Sequence, residues 1–271
     1  MKIDGAVALV LGAAKGIGQA IGMALAKAGA TVVLTYYDWP EDAARMRQEM
    51  AALGGDHLAL QVDLREPGQV AALMGEMRER FGQMDILVNN IERGGMPVVH
   101  GPYVPAQWEL ELATTLTAKW WVAHHAMPLL KAAGDAAMVT LSSIAGLVGR
   151  SGPAGLVFND GYAAANRAVS SFTETWAREG APEVRVNELM LGFVETRHAE
   201  GTRGWGLLSA EQREAIRTHT LLRRTGRLDD VVKAVFFLIE EAPFMTGSVL
   251  RLDGGYLLGG EPLPPMPPGV L

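Results

Sequence analysis

The sequence predicts an α/β fold, a doubly wound parallel sheet of about seven strands with helices on both faces, on three observations. Short and nearly unbroken apolar runs alternate with longer segments whose apolar residues recur at helical spacing. The first run ends in a glycine-rich turn, "LGAAKGIGQA" at 11–20, that opens the first helical segment. The strand-like runs also lack the polar alternation of a sheet with one wet face, as expected of strands covered on both sides by crossover helices.

The elements follow in order. "AVALVLG" (6–12) reads as the first strand and "IGQAIGMALAKAGA" (17–30) as the first helix. The unit repeats as "TVVLTYY" (31–37), the helix "PEDAARMRQEMAALGG" (40–55), "HLALQVDL" (57–64), the helix "PGQVAALMGEMRERFG" (67–82) and "MDILVNN" (84–90). One long helix is expected across "AQWELELATTLTAKWWVAHHAMPLLKAAG" (106–134), followed by the strand "AAMVTLSS" (136–143) and a helix starting near Tyr162. "EVRVNELML" (183–191), the helical "VVKAVFFLIEEA" (231–242) and "SVLRLDGG" (248–255) complete seven strands.

Two segments interrupt this rhythm, 144–161 and 195–228. The second is polar, is expected to hold at most short helices, and has the character of a substrate loop. The tail 261–271 is proline-rich and should be extended or disordered rather than packed helix. Nothing between residues 1 and 260 reads as a linker, so a single domain is expected there.

Composition excludes several functions. A net charge of −6 offers no general attraction to nucleic acid or anionic lipid, so a small-molecule partner is expected. With no cysteine there is no disulfide, thiolate nucleophile or cysteine-based zinc site, which suits a cytoplasmic protein. The N-terminal apolar run is broken by glycines and Asp4 and lacks a small-residue cleavage pattern, so it reads as a strand and not as a signal peptide. No apolar stretch reaches the roughly 18 residues of a membrane span. The six histidines show no metal-ligand spacing, and no metal is expected.

Chemistry begins at the glycine turn. Gly12 allows the tight turn, Gly16 lets the backbone approach a pyrophosphate, and Gly18 lets the helix pack closely on the sheet. The helix N-terminus behind them offers unpaired N–H groups and a positive dipole end.

With "GAAKGIG" stand "VDL" with Asp63, "DILVNN" with Asn89, "VTLSSIAG" with Ser143, the tyrosine of "GYAAAN", "VNELMLGFVET" and "FMTGSVLRLDGG". In this order and spacing the chain resembles a classical short-chain dehydrogenase/reductase over nearly its whole length. The resemblance implies a Rossmann domain that binds NAD or NADP, assembled as a homotetramer or homodimer and acting on a carbonyl or alcohol. It assigns the cofactor to Gly12, Ala14, Lys15, Gly16, Ile17 and Gly18 of the turn, and to Tyr37, Asp38, Asp63, Leu64, Asn89, Asn90 and Ile91 at the following strand ends. Tyr162, Asn166, Gly192, Val194 and Thr196 would meet its nicotinamide half. An acidic residue closing the second strand would favour NAD, but Tyr36 stands there, followed by Tyr37 and then Asp38. Lys15 inside the loop tilts the reading to NADP, with Asp38 as the opposing feature.

In the family a tyrosine gives the proton, a serine orients the oxygen, a lysine four residues after the tyrosine acidifies it and binds ribose, and an asparagine holds a relay water. Tyr162 and Ser143 match, with Ser142 the rival serine. The lysine position holds Asn166 and the asparagine position Thr115. The spacing from Ser143 to Tyr162 is 19 positions, longer than the family's, and Leu191 stands at the usual proline and Ile91-Glu92 at the usual Ala-Gly. Asn166 lies on the helical face of Tyr162 and can still meet a ribose hydroxyl, but it supplies no charge. A unit charge about 4 Å from a phenolate is worth about 4 kcal/mol at an effective dielectric near 20. Without it the phenol is a weaker acid, still protonated for reduction, with oxidation favoured only at alkaline pH. Lys119, Arg150, Arg167, His124 and His125 are the replacement cations available. The ordinary role of Lys119 is a surface or interface charge, although it follows Thr115 by one helical turn. Three functions compete: a carbonyl oxidoreductase, a catalytically silent cofactor-binding subunit paired with an active partner, and a dehydratase or isomerase that keeps its nucleotide as a structural element. The apolar residues of 147–160 and 203–208 suggest a partly hydrophobic substrate.

Overall fold

The computed structural model describes residues 1–91, 105–194, 196, 205, 208–260, 263 and 265. Seven strands are β1 (Val7–Val10), β2 (Thr31–Tyr36), β3 (Leu58–Gln61), β4 (Ile86–Asn89), β5 (Ala136–Ser143), β6 (Val184–Leu191) and β7 (Val249–Leu252). All are parallel, in the order β3-β2-β1-β4-β5-β6-β7. The chain winds outward from β1 to β3 and then crosses to lay β4 on the other side of β1. The connections leaving β1 and β4 therefore diverge, and a crevice opens at their carboxyl ends.

Between the strands run α1 (Gly16–Lys27), α2 (Pro40–Leu53), α3 (Pro67–Phe81), α4 (Pro105–Glu111), α5 (Ala118–Ala133), α6 (Ala145–Val148), α7 (Asp160–Gly180), α8 (Ala210–His219) and α9 (Leu228–Phe236). Proline opens α2, α3 and α4, where its missing N–H costs nothing and its fixed φ already suits a helix. One face of the sheet buries Leu9, Leu87 and Met138 under Met77 of α3, Val122 of α5 and Trp176 of α7. The other buries Val10, Val88 and Val139 under Ile21 of α1, Met46 of α2 and Val235 of α9. Burial on both faces explains the nearly unbroken apolar runs of β1, β2, β4 and β5, while the equally buried β6 carries Arg185, Asn187 and Glu188 among its apolar residues. The edge strands β3 and β7 depart from that expectation. β7 alternates exposed and half-buried positions, and Val249 is exposed, because an edge strand has one neighbour and a thinner helical cover.

The long helix expected over 106–134 is present as one continuous helical run from Pro105 to Ala133, interrupted in its hydrogen bonding but not in its path. Between α4 and α5, Leu112–Thr117 forms a π-helical turn, in which one residue more than an α-turn holds must be accommodated. Thr114 and Thr115 are buried there, and Thr114 Oγ1 donates back to Leu110 O. Of the interrupted segments, 144–161 carries α6 and a 3₁₀ turn at Gly152–Leu156. Residues 195–228 hold α8, ten residues long and started by a capping box in which Ser209 and Gln212 satisfy each other's backbone N–H. Phe158, Phe193, Leu208, Ile216 and Tyr256 join these segments into a third apolar cluster beside the carboxyl ends of the strands. The proline-rich tail falls outside the described residues except for Leu263 and Pro265, as does Glu92.

Candidate active site

The glycine turn is shaped by contacts that leave no room for side chains. Gly12 has φ of +62°, and a Cβ on it would stand 2.3 Å from Asn90 O. A Cβ on Gly18 would lie 2.4 Å from Gly12 O, so α1 presses its first turn onto the strand end as expected. Asn90 clamps the same turn, its Nδ2 donating to Leu11 O and Gly12 O, both at 3.2 Å. Gly16 differs. Its φ is also +62°, but among the described residues a Cβ there would meet only the Thr196 methyl, at 3.8 Å, so those residues leave space above the start of α1. Lys15 caps α1 without a side-chain hydrogen bond, which leaves the first N–H groups facing that space. Backbone donors, a positive helix end and room for a bulky anion together fit a dinucleotide pyrophosphate.

Beside this cradle lies a charged cluster at the ends of β2 and β3. Lys15 Nζ is 3.2 Å from Asp42 of α2 and 3.0 Å from the centre of the Trp39 ring. Arg45 also pairs with Asp42. Arg65 grips Asp63 with Nε at 2.8 Å and Nη2 at 2.6 Å, and its guanidinium lies 5.0 Å from the centre of the exposed Tyr37 ring. Hydrogen bonds from Arg65 hold the Asp63 carboxyl below its ordinary range. Ala14 is buried in the turn, and Asp38 follows Tyr37 outside β2. Two expected positions face inward. The Leu64 side chain belongs to the core, and Asn89 is fully buried, its Nδ2 donating to Lys119 O at 3.2 Å to hold α5 against β4.

The other half of the site is a cleft of about 510 Å³ between β4, β5, β6 and the helices α5 and α7. It collects Ile17, Asn90, Ile91, Thr115, Ser143, Tyr162, Asn166, Gly192, Val194 and Thr196 from the expected residues, and adds Ser142 and Lys119. β5 and β6 pair over eight residues and end with Ser143 beside Leu191, which brings both loops to the cleft together. Gly192 is required by packing, since a Cβ would stand 2.7 Å from Asp253 Cα. Asn159 Oδ1 accepts from Tyr162 N at 2.8 Å and so fixes the start of α7, while Asn159 Nδ2 donates to the buried Glu111 Oε1 at 2.9 Å. The Tyr162 ring, 6 % exposed, lies against Phe158. Ser143 Oγ accepts from Ala145 N at 3.1 Å, which leaves its proton for a second partner. The rival Ser142 hydroxyl donates to Glu188 Oε1 on β6 and is committed there.

Both substituted positions are at the cleft. Asn166 is 1 % exposed and its Nδ2 donates to Tyr162 O, one turn back, at 2.9 Å. Thr115 is also 1 % exposed, with its Oγ1 lacking a hydrogen-bond partner among the described residues. Of the replacement cations, Arg150 pairs with Asp160 at the surface, Arg167 is exposed, and His124 and His125 stack on Trp120 and Trp121. Lys119 corrects the expectation of a surface or interface charge. It is 2 % exposed, and Nζ donates to Ile91 O at 2.5 Å on the cleft wall. Trp39, Asp42, Arg65 and Glu188 were not visible as site residues in the sequence, because each reaches the site from a different element and none sits in a motif. Burial drives the Glu188 carboxyl above its ordinary range, against the hydrogen bond from Ser142 and the charges of Lys119 and Arg167. Among the described residues no cluster of His, Cys, Asp or Glu could hold a metal ion, and no helix is long and apolar enough to cross a membrane.

Residues 12–257 match the family model described as Enoyl-(Acyl carrier protein) reductase. The chain is 34% identical, over 92% of its length and 95% of the relative's, to a protein named as ketoacyl reductase 2 of the granaticin polyketide synthase of Streptomyces violaceoruber. It is 31% identical to the 3-oxoacyl-[acyl-carrier-protein] reductase FabG of Escherichia coli, over 94% of its length and 98% of that protein's. A crystal structure titled as a short-chain alcohol dehydrogenase of Sinorhizobium meliloti superposes with a TM-score of 0.81 at 29% identity, over 95% of this chain and 98% of that one.

Proposed function

Because the chain belongs to the short-chain dehydrogenase/reductase family, a family of nicotinamide-dependent oxidoreductases, we propose that it reduces a carbonyl to an alcohol with Tyr162 as proton donor. The observation that carries this reading is the convergence of Tyr162, Ser143, Asn166 and Thr115, all buried, on one cleft that continues into the glycine cradle.

The cofactor, when bound, supplies the hydride to the carbonyl carbon. The chain supplies the rest. The cradle N–H groups and the α1 dipole would hold the pyrophosphate, and Gly192, Val194 and Thr196 would flank the nicotinamide. Ser143 donates its hydroxyl proton to the substrate oxygen as a hydrogen bond, and Tyr162 transfers its phenolic proton to the same oxygen as negative charge develops there. One N–H of Asn166 is engaged with Tyr162 O, so Oδ1 and the second N–H remain for a ribose hydroxyl. Thr115 Oγ1, without a partner among the described residues, would anchor a relay water. NADPH is favoured over NADH, since Tyr36 brings no carboxylate while Lys15 and Arg65 bring cations; Asp38 and Asp42 oppose that preference. The relatives named as ketoacyl reductases make β-ketoacyl thioesters the first substrates to assay. A cytoplasmic homotetramer or homodimer belongs to the same reading.

The test pairs the wild type with Tyr162→Phe against NADPH, NADH and a panel of β-ketoacyl thioesters, ketones and quinones. Loss of the general acid should lower kcat by about 10²–10⁴-fold with cofactor affinity retained. Activity that survives in Tyr162→Phe sinks the assignment. A second reading, a silent cofactor-binding subunit, is favoured specifically by Asn166 and Thr115. It predicts cofactor binding with no turnover on any member of the panel.

A further inference from the structure

We infer that Glu111 is a positioning residue for Tyr162: from the end of α4 it orients the Asn159 amide, and that amide holds the backbone on which the phenol is seated. The inference rests on the reading of Tyr162 as proton donor and deepens it.

Each link is a direct hydrogen bond. Asn159 Oδ1 accepts from Tyr162 N at 2.8 Å, and Asn159 Nδ2 donates to Glu111 Oε1 at 2.9 Å. A backbone N–H can only donate, so the amide must turn its oxygen to Tyr162 and its nitrogen to Glu111, an orientation that the carboxyl group enforces from the other side. The choice of asparagine is itself informative. Aspartate caps a helix about as well and would add a favourable negative charge at the positive end of the 21-residue α7. Asparagine gives up that charge and gains a donor, and Glu111 is what the donor meets. Glu111 is fully buried, and a buried carboxyl group is costly unless it is hydrogen-bonded, so an acid here carries a cost that an apolar residue would not. The two helices touch at this point. A Cβ on Gly161 would stand 3.3 Å from Glu111 Cβ and 3.4 Å from Trp108 Cε3, so the first turn of α7 lies directly on the end of α4. Phe158, against which the Tyr162 ring packs, is next to Asn159 in the chain. A shift of the Asn159 cap would therefore move the ring's packing partner as well as its backbone. Glu111 also precedes Thr115 by four residues, so the segment that brings Thr115 to the cleft carries the brace for Tyr162. If Asn159 only capped α7, aspartate would serve as well, and that substitution separates capping from orientation.

The experiment combines fluorine NMR of the full chain labelled with 3-fluorotyrosine and steady-state rates of the unlabelled protein. Of the five tyrosines, Tyr162 gives the resonance that is missing from Tyr162→Phe. Asn159→Asp keeps the oxygen for Tyr162 N but sets two acceptors face to face across the 2.9 Å gap to Glu111. At pH 8 it should shift the Tyr162 resonance, and on a substrate that the wild type turns over it should lower kcat by about 10–100-fold, the scale of a misplacement of up to about 1 Å. KM and the Kd for NADPH should stay within about threefold, because the loss falls on the transition state. Glu111→Gln/Asn159→Asp faces a donor to an acceptor again, with the direction reversed, and should return the resonance and the greater part of the rate. Glu111→Leu should reproduce Asn159→Asp, and Glu111→Gln, which keeps an acceptor oxygen, should lose less than Glu111→Leu. An unchanged resonance and rate in Asn159→Asp overturn the proposal, and so does a double variant that recovers neither. If Glu111→Leu fails to fold, the near-isosteric Asn159→Asp and the double variant carry the test alone. A resonance that moves in Asn159→Asp and returns in the double variant, with no turnover of any substrate by the wild type, would uphold the positioning and defeat the reductase reading. Activity that depends on Tyr162 but is indifferent to Glu111 and Asn159 would do the reverse.

Discussion

Replacing Gly16 by alanine separates what the cradle costs the fold from what it gives a ligand. The residue has φ of +62°, so an L side chain there costs about 1–2 kcal/mol of left-handed strain. Among the described residues nothing else resists it, because the added methyl would meet only the Thr196 methyl at 3.8 Å. For a chain of this size that strain lowers Tm by roughly 2–8 °C. The methyl would, however, project into the space above the α1 N-terminus where the pyrophosphate is expected. Overpacking there by about 2 kcal/mol raises Kd about 30-fold. At a cofactor concentration of 100 wild-type Kd the wild type is stabilised by about 2.7 kcal/mol, and the variant by only about 0.9 kcal/mol. Thermal unfolding with and without NADPH reads both quantities at once. Gly18→Ala is the control of opposite kind, because its Cβ falls 2.4 Å from Gly12 O, and it should lose several kcal/mol of stability even without ligand. A Gly16→Ala protein whose NADPH-induced Tm shift equals the wild type's would refute the placement of the pyrophosphate.

Two further outcomes follow from the charges. Glu188 has a raised pKa in the folded chain, so the folded state holds its proton longer than the unfolded state does, and stability falls as pH rises from about 4.5 through the folded value, at about 1.4 kcal/mol per unit. Glu188→Gln should therefore gain Tm over wild type by more at pH 8 than at pH 5; an equal difference at both pH values contradicts the burial argument. Lys15→Ala should raise KM for NADPH by about 3–5-fold while leaving KM for NADH within a factor of two, the scale of one partly exposed charge already shared with Asp42. Equal changes for the two cofactors would remove Lys15 from 2′-phosphate recognition.

Much of the architecture was legible because parallel sheets write themselves in sequence. β5 was placed to the residue, and the glycine register located the β1–α1 turn, because burial on both faces and close backbone approach each restrict composition. The edge strands were harder, since β7 shares the apolar letters of an inner strand but only half of its burial. The π-turn at Leu112–Thr117 left no trace in the 3.6-residue pattern, which runs through it without a glycine or proline. At the site, Tyr162 and Ser143 could be located from motif spacing and were found at one cleft. Lys119 could be named but not weighed, because a lysine on a helix is normally solvated and only three-dimensional packing shows this one buried. Trp39, Asp42 and Arg65 meet the turn across loops distant in sequence, a kind of encounter that local patterns do not record.

The π-turn also makes the cleft depend on counting. A π-turn takes up one residue more than the α-helical count while the helices on either side keep their faces, so removing one residue between Leu112 and Thr117 would let the segment relax to an α-helix with α4 and α5 still set as they are. Glu111 would keep its bond to Asn159 and with it the cap that seats Tyr162, and the change would fall on Thr115, which lines the cleft from within the turn. The extra residue of this element is thus separable from the rest of the site: a one-residue deletion there alters the Thr115 corner of the cleft and leaves the seat of Tyr162 in place.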